Sequence, residues 1–287
     1  MTDRPRRSAL YMPASNAKAI EKARSLPCDV VILDLEDAVA PDAKEMAREQ
    51  AIQAVKDGGF GRRELVIRVN GADTPWGEAD IRAAAAARPD AILVPKVNSA
   101  ADVAAYSAPL HEDTDLWAMI ETGRSIFNVE SIAAASATSR LTTFVMGTND
   151  LAKETRARIT PGREPFFAAL SLAVMAARIH GLTILDGVHN DIEDPASLEA
   201  VCRQGVEFGF DGKTLIHPKQ IELCNLVFSP APAEVEFARA VIAAFALPEN
   251  QGKGAIRVEG KMAELLHLEQ SKRLVAVADA IREAEAA

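Results

Sequence analysis

Short runs rich in β-branched and other apolar residues alternate along the chain with longer, alanine-rich stretches whose apolar positions recur at helical spacing. The runs are SALYMPA, VVILDLED, ELVIRVN, AILVPKV, LWAMIET, TFVMGTND, LTILDGV and KTLIHP; the stretches between them include NAKAIEKARS, residues 43–56 and SLEAVCRQGVEF. Strands separated by helices read as repeated βα units around a parallel sheet. Eight of them predict an α/β fold of the closed (β/α)8 TIM-barrel type. A doubly wound open sheet also alternates strand and helix, but its nucleotide-binding form expects G-x-G-x-x-G after the first strand, and that motif is absent. Beyond IHPKQ the pattern changes. FSPAPAEVEFARAVIAAFA reads as one amphipathic helix, ENQGKGAIRVEGK as a Gly-rich connection and MAELLHLEQSKRLVAVADAIREAEAA as a terminal helix. The expected division is a catalytic barrel over 1–228 and a helical extension over 229–287, acting as a lid or oligomer arm or simply as a packed helix pair.

Composition narrows the class without fixing the chemistry. The 287 residues are 48% hydrophobic and 25% charged, as in an ordinary globular protein. No apolar run approaches the roughly 18 residues of a membrane span, and MTDRPRRSALYMPAS lacks the long apolar core of a signal peptide, so a cytoplasmic location is expected. A formal net charge of −9 argues against a nucleic-acid surface, which needs a basic stripe. Cys28, Cys202 and Cys224 are odd in number and outside any C-x-x-C pattern, so they read as small buried fillers.

In a (β/α)8 barrel the chemistry sits at the C-terminal ends of the strands. Most runs here end in polar residues: Ser15; Asp34, Glu36 and Asp37; Arg68; Lys96; Glu121; Asp150; Asp186; His217. Glu121 and Asp150 close the fifth and sixth runs, so their carboxylates are expected to converge. Two adjacent hard oxygen ligands suit Mg²⁺, and an Arg or Lys partner for each is the alternative. Arg68 and Lys96 are expected to face the same pocket, as oxyanion or carboxylate holders or as internal salt-bridge partners of Asp34 or Glu36. In LDLED the period of two puts Asp34 and Glu36 on one face and starts a loop at Asp37; orienting Arg68 or a metal-bound water suits this cluster better than direct ligation. Lys18 and Lys22, at i and i+4 after the capping pair Ser15–Asn16, either meet phosphates or are solvated surface.

RSALYMPASN, LDLEDAVAPDAK, IRVNG, LVPKV, MIETGRSI, VMGTNDLA, DGVHNDIED, GFDGKTLIHPKQI and SPAPAEVEFARAVIAAF through GKGAIRVEGKM occur in that order over nearly the whole chain. Together they resemble the citrate lyase β-subunit and malyl-CoA lyase group, with citramalyl-CoA lyases, of the HpcH/HpaI aldolase superfamily. The resemblance implies a (β/α)8 barrel, usually a homotrimer or a multiple of it, that binds an acyl thioester, generally of coenzyme A, and Mg²⁺. It implies Glu121 and Asp150 as metal ligands, Arg68 facing the reacting oxygens, and Lys18 and Lys22 near the pantetheine and phosphate arm. Two positions depart from the family pattern. Ala14 stands where the first loop commonly has glycine, and Glu264, within Gly260-Lys261-Met262-Ala263-Glu264-Leu265-Leu266, stands where a G-x-M-I-D-x-P segment supplies a catalytic aspartate to a neighbouring subunit.

The expected function is a Mg²⁺-dependent carbon–carbon lyase acting on a short 3-hydroxydicarboxylyl thioester such as malyl-, citramalyl- or citryl-CoA, and releasing a ketoacid. In it Arg68 stabilises developing charge and Glu264 exchanges a proton with the enolate. The altered position 264 motivates a second reading, hydrolysis of malyl-CoA or a relative, with Glu264, Glu36 or Asp37 activating water. A third makes the chain a non-catalytic thioester-binding subunit.

Overall fold

The computed structural model describes residues 4–286. Eight parallel strands, β1 (Ser8–Pro13), β2 (Val30–Asp34), β3 (Glu64–Arg68), β4 (Ala91–Val94), β5 (Asp115–Ile120), β6 (Leu141–Met146), β7 (Thr183–Asp186) and β8 (Gly212–Leu215), follow one another around a closed barrel. Closure is made where Ala9 of β1 pairs with both Val30 of β2 and Thr214 of β8. The eight apolar runs therefore form the expected (β/α)8 fold.

Side chains alternate in and out along each strand. Ala9, Val30, Ile32, Val66, Ala91, Leu93, Trp117, Met119, Val145 and Leu185 fill the barrel, with Tyr11 packed against them, while the opposite face of each strand joins the larger core under the helices. The floor is closed by a buried ion pair: Arg6 donates to both Glu64 oxygens at 2.6 and 2.7 Å and stacks over Trp117 at 5.1 Å. The same period of two carries the inward series up to Tyr11, Asp34, Arg68 and Glu121. A plugged floor leaves the C-terminal mouth as the open end.

Arg6–Phe228 forms one compact unit and the chain from Ser229 onward belongs to a second. The second unit contains the expected amphipathic helix, Pro232–Ala246, but the Gly-rich connection is an antiparallel hairpin of β9 (Ala255–Val258) and β10 (Lys261–Glu264). Glu259 and Gly260 turn it with φ of 46° and 82°, the left-handed pair a two-residue hairpin turn demands. The terminal helix consequently starts at Leu265 rather than Met262. Among the described residues no helix is long and apolar enough to cross a membrane.

Candidate active site

A cavity of about 300 Å³ opens at the mouth. Its polar wall comprises Tyr11, Asp34, Asp37, Arg68, Thr148, Asn149, Asp150, Asn190 and Thr214; its apolar wall includes Met119, Met146, Val188 and Ile216. Arg68 is buried and held as a fork: Nε and Nη2 donate to the two oxygens of Asp34 at 2.7 and 2.6 Å. Burial would lower its pKa, but Asp34 outweighs burial, so the guanidinium stays charged. Its remaining nitrogen, Nη1, turns to Asp37 Oδ2 at 3.2 Å. The tip is thus both an internal salt bridge and part of the cavity wall, so the two sequence alternatives are one arrangement.

Glu121 is 2% exposed, and its Oε1 accepts the Lys96 backbone N–H at 2.7 Å. Burial pushes its carboxyl up to about 7; the Lys96 N–H pulls the other way and the Asp150 charge raises it further. Gly147, just after β6, leaves room for it: a Cβ there would lie 2.3 Å from Glu121 Cβ. Asp150 does not end β6. It lies in the first turn of the helix Thr148–Thr155, because the chain turns at Gly147 immediately after Met146, yet it still faces the cavity. Among the described residues neither carboxylate has an ion-pair partner, although Arg68 and Lys96 act on Glu121 through their charge.

Glu36 adds a third carboxylate. Burial raises it to about 8, opposed by Arg68 and assisted by Asp37, Glu121 and Asp34. Arg68 Nη1 is 3.0 Å from Glu36 Oε2 but out of line for a hydrogen bond, so this buried oxygen has no hydrogen-bond partner. Glu121, which feels the charges of both Glu36 and Asp150, thus stands between an oxygen without a hydrogen-bond partner and a second acid, oxygen donors of the kind a hard divalent cation takes.

The other expected residues are placed differently. Lys96 is exposed, in a left-handed conformation (φ 51°), and lines a neighbouring hollow with Asn98, Tyr106 and Thr122 rather than the Arg68 cavity. Burial would lower its pKa, but Glu36, Glu121 and Asp150 hold it above the usual value, so it acts on the site through its field. Lys18 and Lys22 are exposed on the helix Ala17–Ala23, capped by Asn16, and line neither the cavity nor the hollow. Ala14 is not among the residues with positive φ, so this loop does not need the glycine. Glu264 ends β10, and its N–H donates to His267 Nδ1 at 2.9 Å. Cys28, Cys202 and Cys224 are buried and free.

Three features escaped the sequence, whereas the Asp34–Arg68 salt bridge was one of its alternatives and follows from the pairing of β2 with β3. Lys44 lies buried with Nζ donating to Leu35 O, Glu36 O and Asn70 Oδ1 at 2.8, 2.7 and 2.8 Å, which fixes the LDLED loop. Asn149, at the start of the helix Thr148–Thr155, and Asn190, in the loop after β7, exchange side-chain hydrogen bonds at 3.1 and 3.0 Å. Tyr11 stacks on Arg68 at 4.7 Å. Of these, the inward alternation after Ala9 marks Tyr11 in the sequence.

Residues 7–218 match the family model described as HpcH/HpaI aldolase/citrate lyase. The chain is 51% identical over 277 residues, 96% of each chain, to a (3S)-malyl-CoA thioesterase of Cereibacter sphaeroides. It is 33% identical over 307 residues, 97% of this chain and 96% of the other, to an L-malyl-CoA/beta-methylmalyl-CoA lyase of the same species. Among solved structures it is similar to CitE of Mycobacterium tuberculosis in complex with magnesium, acetoacetate and coenzyme A, with TM-score 0.77, 30% identity, and 95% and 97% of the two chains covered. The chain belongs to the HpcH/HpaI aldolase/citrate lyase family.

Proposed function

We propose that the protein hydrolyses the thioester of a short 3-hydroxydicarboxylyl-CoA of the malyl type in a Mg²⁺-dependent reaction. The observation that carries this reading is the 51% identity, over 96% of both chains, to a malyl-CoA thioesterase, against 33% to a lyase. Magnesium is supported by the mouth itself, with its unpaired Glu121 and Asp150 and the orphaned oxygen of Glu36, and by the magnesium in the CitE complex.

In the proposed mechanism Glu121 and Asp150, with Glu36 beside Glu121, would hold the cation. Bound there, Mg²⁺ supplies a positive anchor and Lewis-acid polarisation for substrate oxygens. Arg68, locked by Asp34, presents Nη1 to the anionic substrate, and its fixed orientation avoids reorganisation during the reaction. Water adds to the thioester carbonyl carbon while a carboxylate takes its proton. The base must be open to water, so Asp37, 70% exposed and on the cavity wall, takes it rather than the half-buried Glu36. When the tetrahedral centre collapses the carbon–sulfur bond breaks and the thiolate receives the proton that Asp37 took from water, leaving a free dicarboxylic hydroxy acid and coenzyme A. Lys18 and Lys22 are offered to the phosphates of the coenzyme arm, and Glu264 to a neighbouring subunit of a homo-oligomer.

Carbon–carbon cleavage is the second reading, favoured by the presence of Arg68, Glu121 and Asp150 in a chain also related to lyases. Incubating the protein with Mg²⁺ and malyl-CoA and separating the products decides between them. Malate with free coenzyme A supports hydrolysis; glyoxylate with acetyl-CoA replaces it by the lyase reading; binding without turnover leaves a thioester-binding subunit.

A further inference from the structure

Tyr11 lies on the inward face of β1, two residues above Ala9, and its ring stacks on the Arg68 guanidinium at 4.7 Å. It lines the reaction cavity, yet among the described residues its hydroxyl makes no hydrogen bond and is not a sealed, unpartnered atom. A phenol that stacks on the guanidinium, leaves its O–H unused and borders the reacting volume is a donor without an acceptor.

We propose that Tyr11 is a catalytic residue of thioester hydrolysis, whose hydroxyl donates a hydrogen bond to the oxygen that becomes negative when water adds to the thioester carbonyl. This rests on the hydrolytic reading above. The carbonyl π pair moves to oxygen as the new carbon–oxygen bond forms, the water proton goes to the carboxylate base, and the pair returns as the carbon–sulfur bond breaks. Tyr11 keeps its own proton throughout. Burial opposes loss of that proton, and the negative fields of Asp34, Glu121 and Glu36 act in the same direction against the opposing pull of Arg68, so the phenol is a neutral donor and not a base. A donor aimed at charge that exists only in the transition state raises kcat, whereas a group that merely binds substrate changes KM. Tyr11 therefore complements Arg68: the cation supplies the field, and the phenol supplies a directed O–H beside it.

The test is Tyr11→Phe, which removes the oxygen and keeps the ring on Arg68. Steady-state hydrolysis of malyl-CoA in Mg²⁺ is followed by release of free thiol, with product analysis of the wild-type enzyme in the same series. The expected result is malate and coenzyme A from the wild type, and a kcat lowered about 10²–10³-fold in Tyr11→Phe with KM within about threefold. The thermal midpoint should be unchanged, since the hydroxyl bonds to nothing in the described protein. A kcat within about threefold of wild type, or a raised KM with kcat kept, overturns the role of Tyr11 while leaving hydrolysis standing. If the wild type instead yields glyoxylate and acetyl-CoA, the hydrolytic reading is what fails, and this proposal falls with it.

Discussion

Replacing Glu121 by glutamine should stabilise the cation-free protein at alkaline pH and destabilise it relative to wild type once Mg²⁺ is present. The carboxyl is pushed up to about 7 in the folded chain from its ordinary value of 4.5. A carboxyl whose folded pKa is raised gives stability that is full below the unfolded value and is lost as pH rises through the folded one. Glutamine carries no such slope, and its Oε1 can still accept the Lys96 N–H. Linkage puts the gain of Glu121→Gln at about 3 kcal/mol at pH 8.5 and under about 1 kcal/mol at pH 5. For a domain of this size class, each kcal/mol moves Tm by about 2–4 °C. Glu36, pushed up to about 8, titrates in both proteins, so its slope largely cancels. Thermal unfolding followed by circular dichroism at the two pH values, in chelator and in saturating Mg²⁺, reads the effect directly. Mg²⁺ should raise the wild-type Tm by mass action and the variant's far less, reversing their order at pH 8.5. A Glu121→Gln shift that is the same at both pH values, or equal stabilisation of both proteins by Mg²⁺, would falsify the reading of Glu121 as a buried, cation-seeking carboxylate.

Arg68→Lys should lower kcat about 10²–10³-fold, because an ammonium cannot be gripped by both Asp34 oxygens while offering a third nitrogen to substrate; a change in KM alone would make its role plain binding. Gly147→Ala should abolish Mg²⁺-dependent turnover, since the new Cβ would stand 2.4 Å from Glu121 Oε2, and an enzyme that keeps its metal response would show that Glu121 is not held against this backbone. If the Glu264 carboxyl serves a neighbouring site, Glu264→Ala should bind Mg²⁺ and thioester normally but turn over slowly, and mixing it with Glu121→Gln subunits should restore partial activity. Demonstrated subunit exchange without rescue refutes that sharing.

The barrel was legible because each strand is an apolar run with a polar end, and the period of two that buries Ala9, Val30, Val66 and Trp117 also fixes which polar residues face the mouth. Tyr11, Asp34, Arg68 and Glu121 all follow from it. What did not follow was set by backbone geometry beyond the strands. Lys96 reads as a pocket residue, but its left-handed backbone gives its N–H to Glu121 and carries its side chain to the adjoining hollow. Asp150 reads as a strand end but belongs to the next helix. Lys44, twenty-four residues before Arg68 in sequence, looks like a solvated helix-start lysine; only the folded loop shows its ammonium holding Leu35, Glu36 and Asn70 together. Tertiary pairing overrides local pattern wherever a polar group's partner comes from a different βα unit.

The two reactions weighed for this mouth share their ground-state requirements and differ in where a proton must be delivered. On the proposed reading Arg68, and a cation held by Glu121 and Asp150, would bind the hydroxydicarboxylyl group for either. Carbon–carbon cleavage then needs an acid placed at the carbon of the acetyl enolate, and a displacement of that acid on the order of 1 Å costs about 10²-fold. Hydrolysis needs a base for a water molecule, which adjusts its own position and tolerates a less exact carboxylate. Glu264, longer by one methylene than the aspartate that the resemblance implies there, and followed by Leu265 and Leu266 at 54% and 53% exposure, alters the demanding placement and spares the tolerant one. On the proposed reading a change at one lid position therefore suppresses cleavage more than hydrolysis, without any alteration of the barrel residues that bind the substrate. Glu264→Asp tests the step: if the shorter carboxyl raises glyoxylate release from malyl-CoA relative to malate release, lid geometry sets the partition, and if the ratio stays fixed, the choice between the two reactions lies in the barrel.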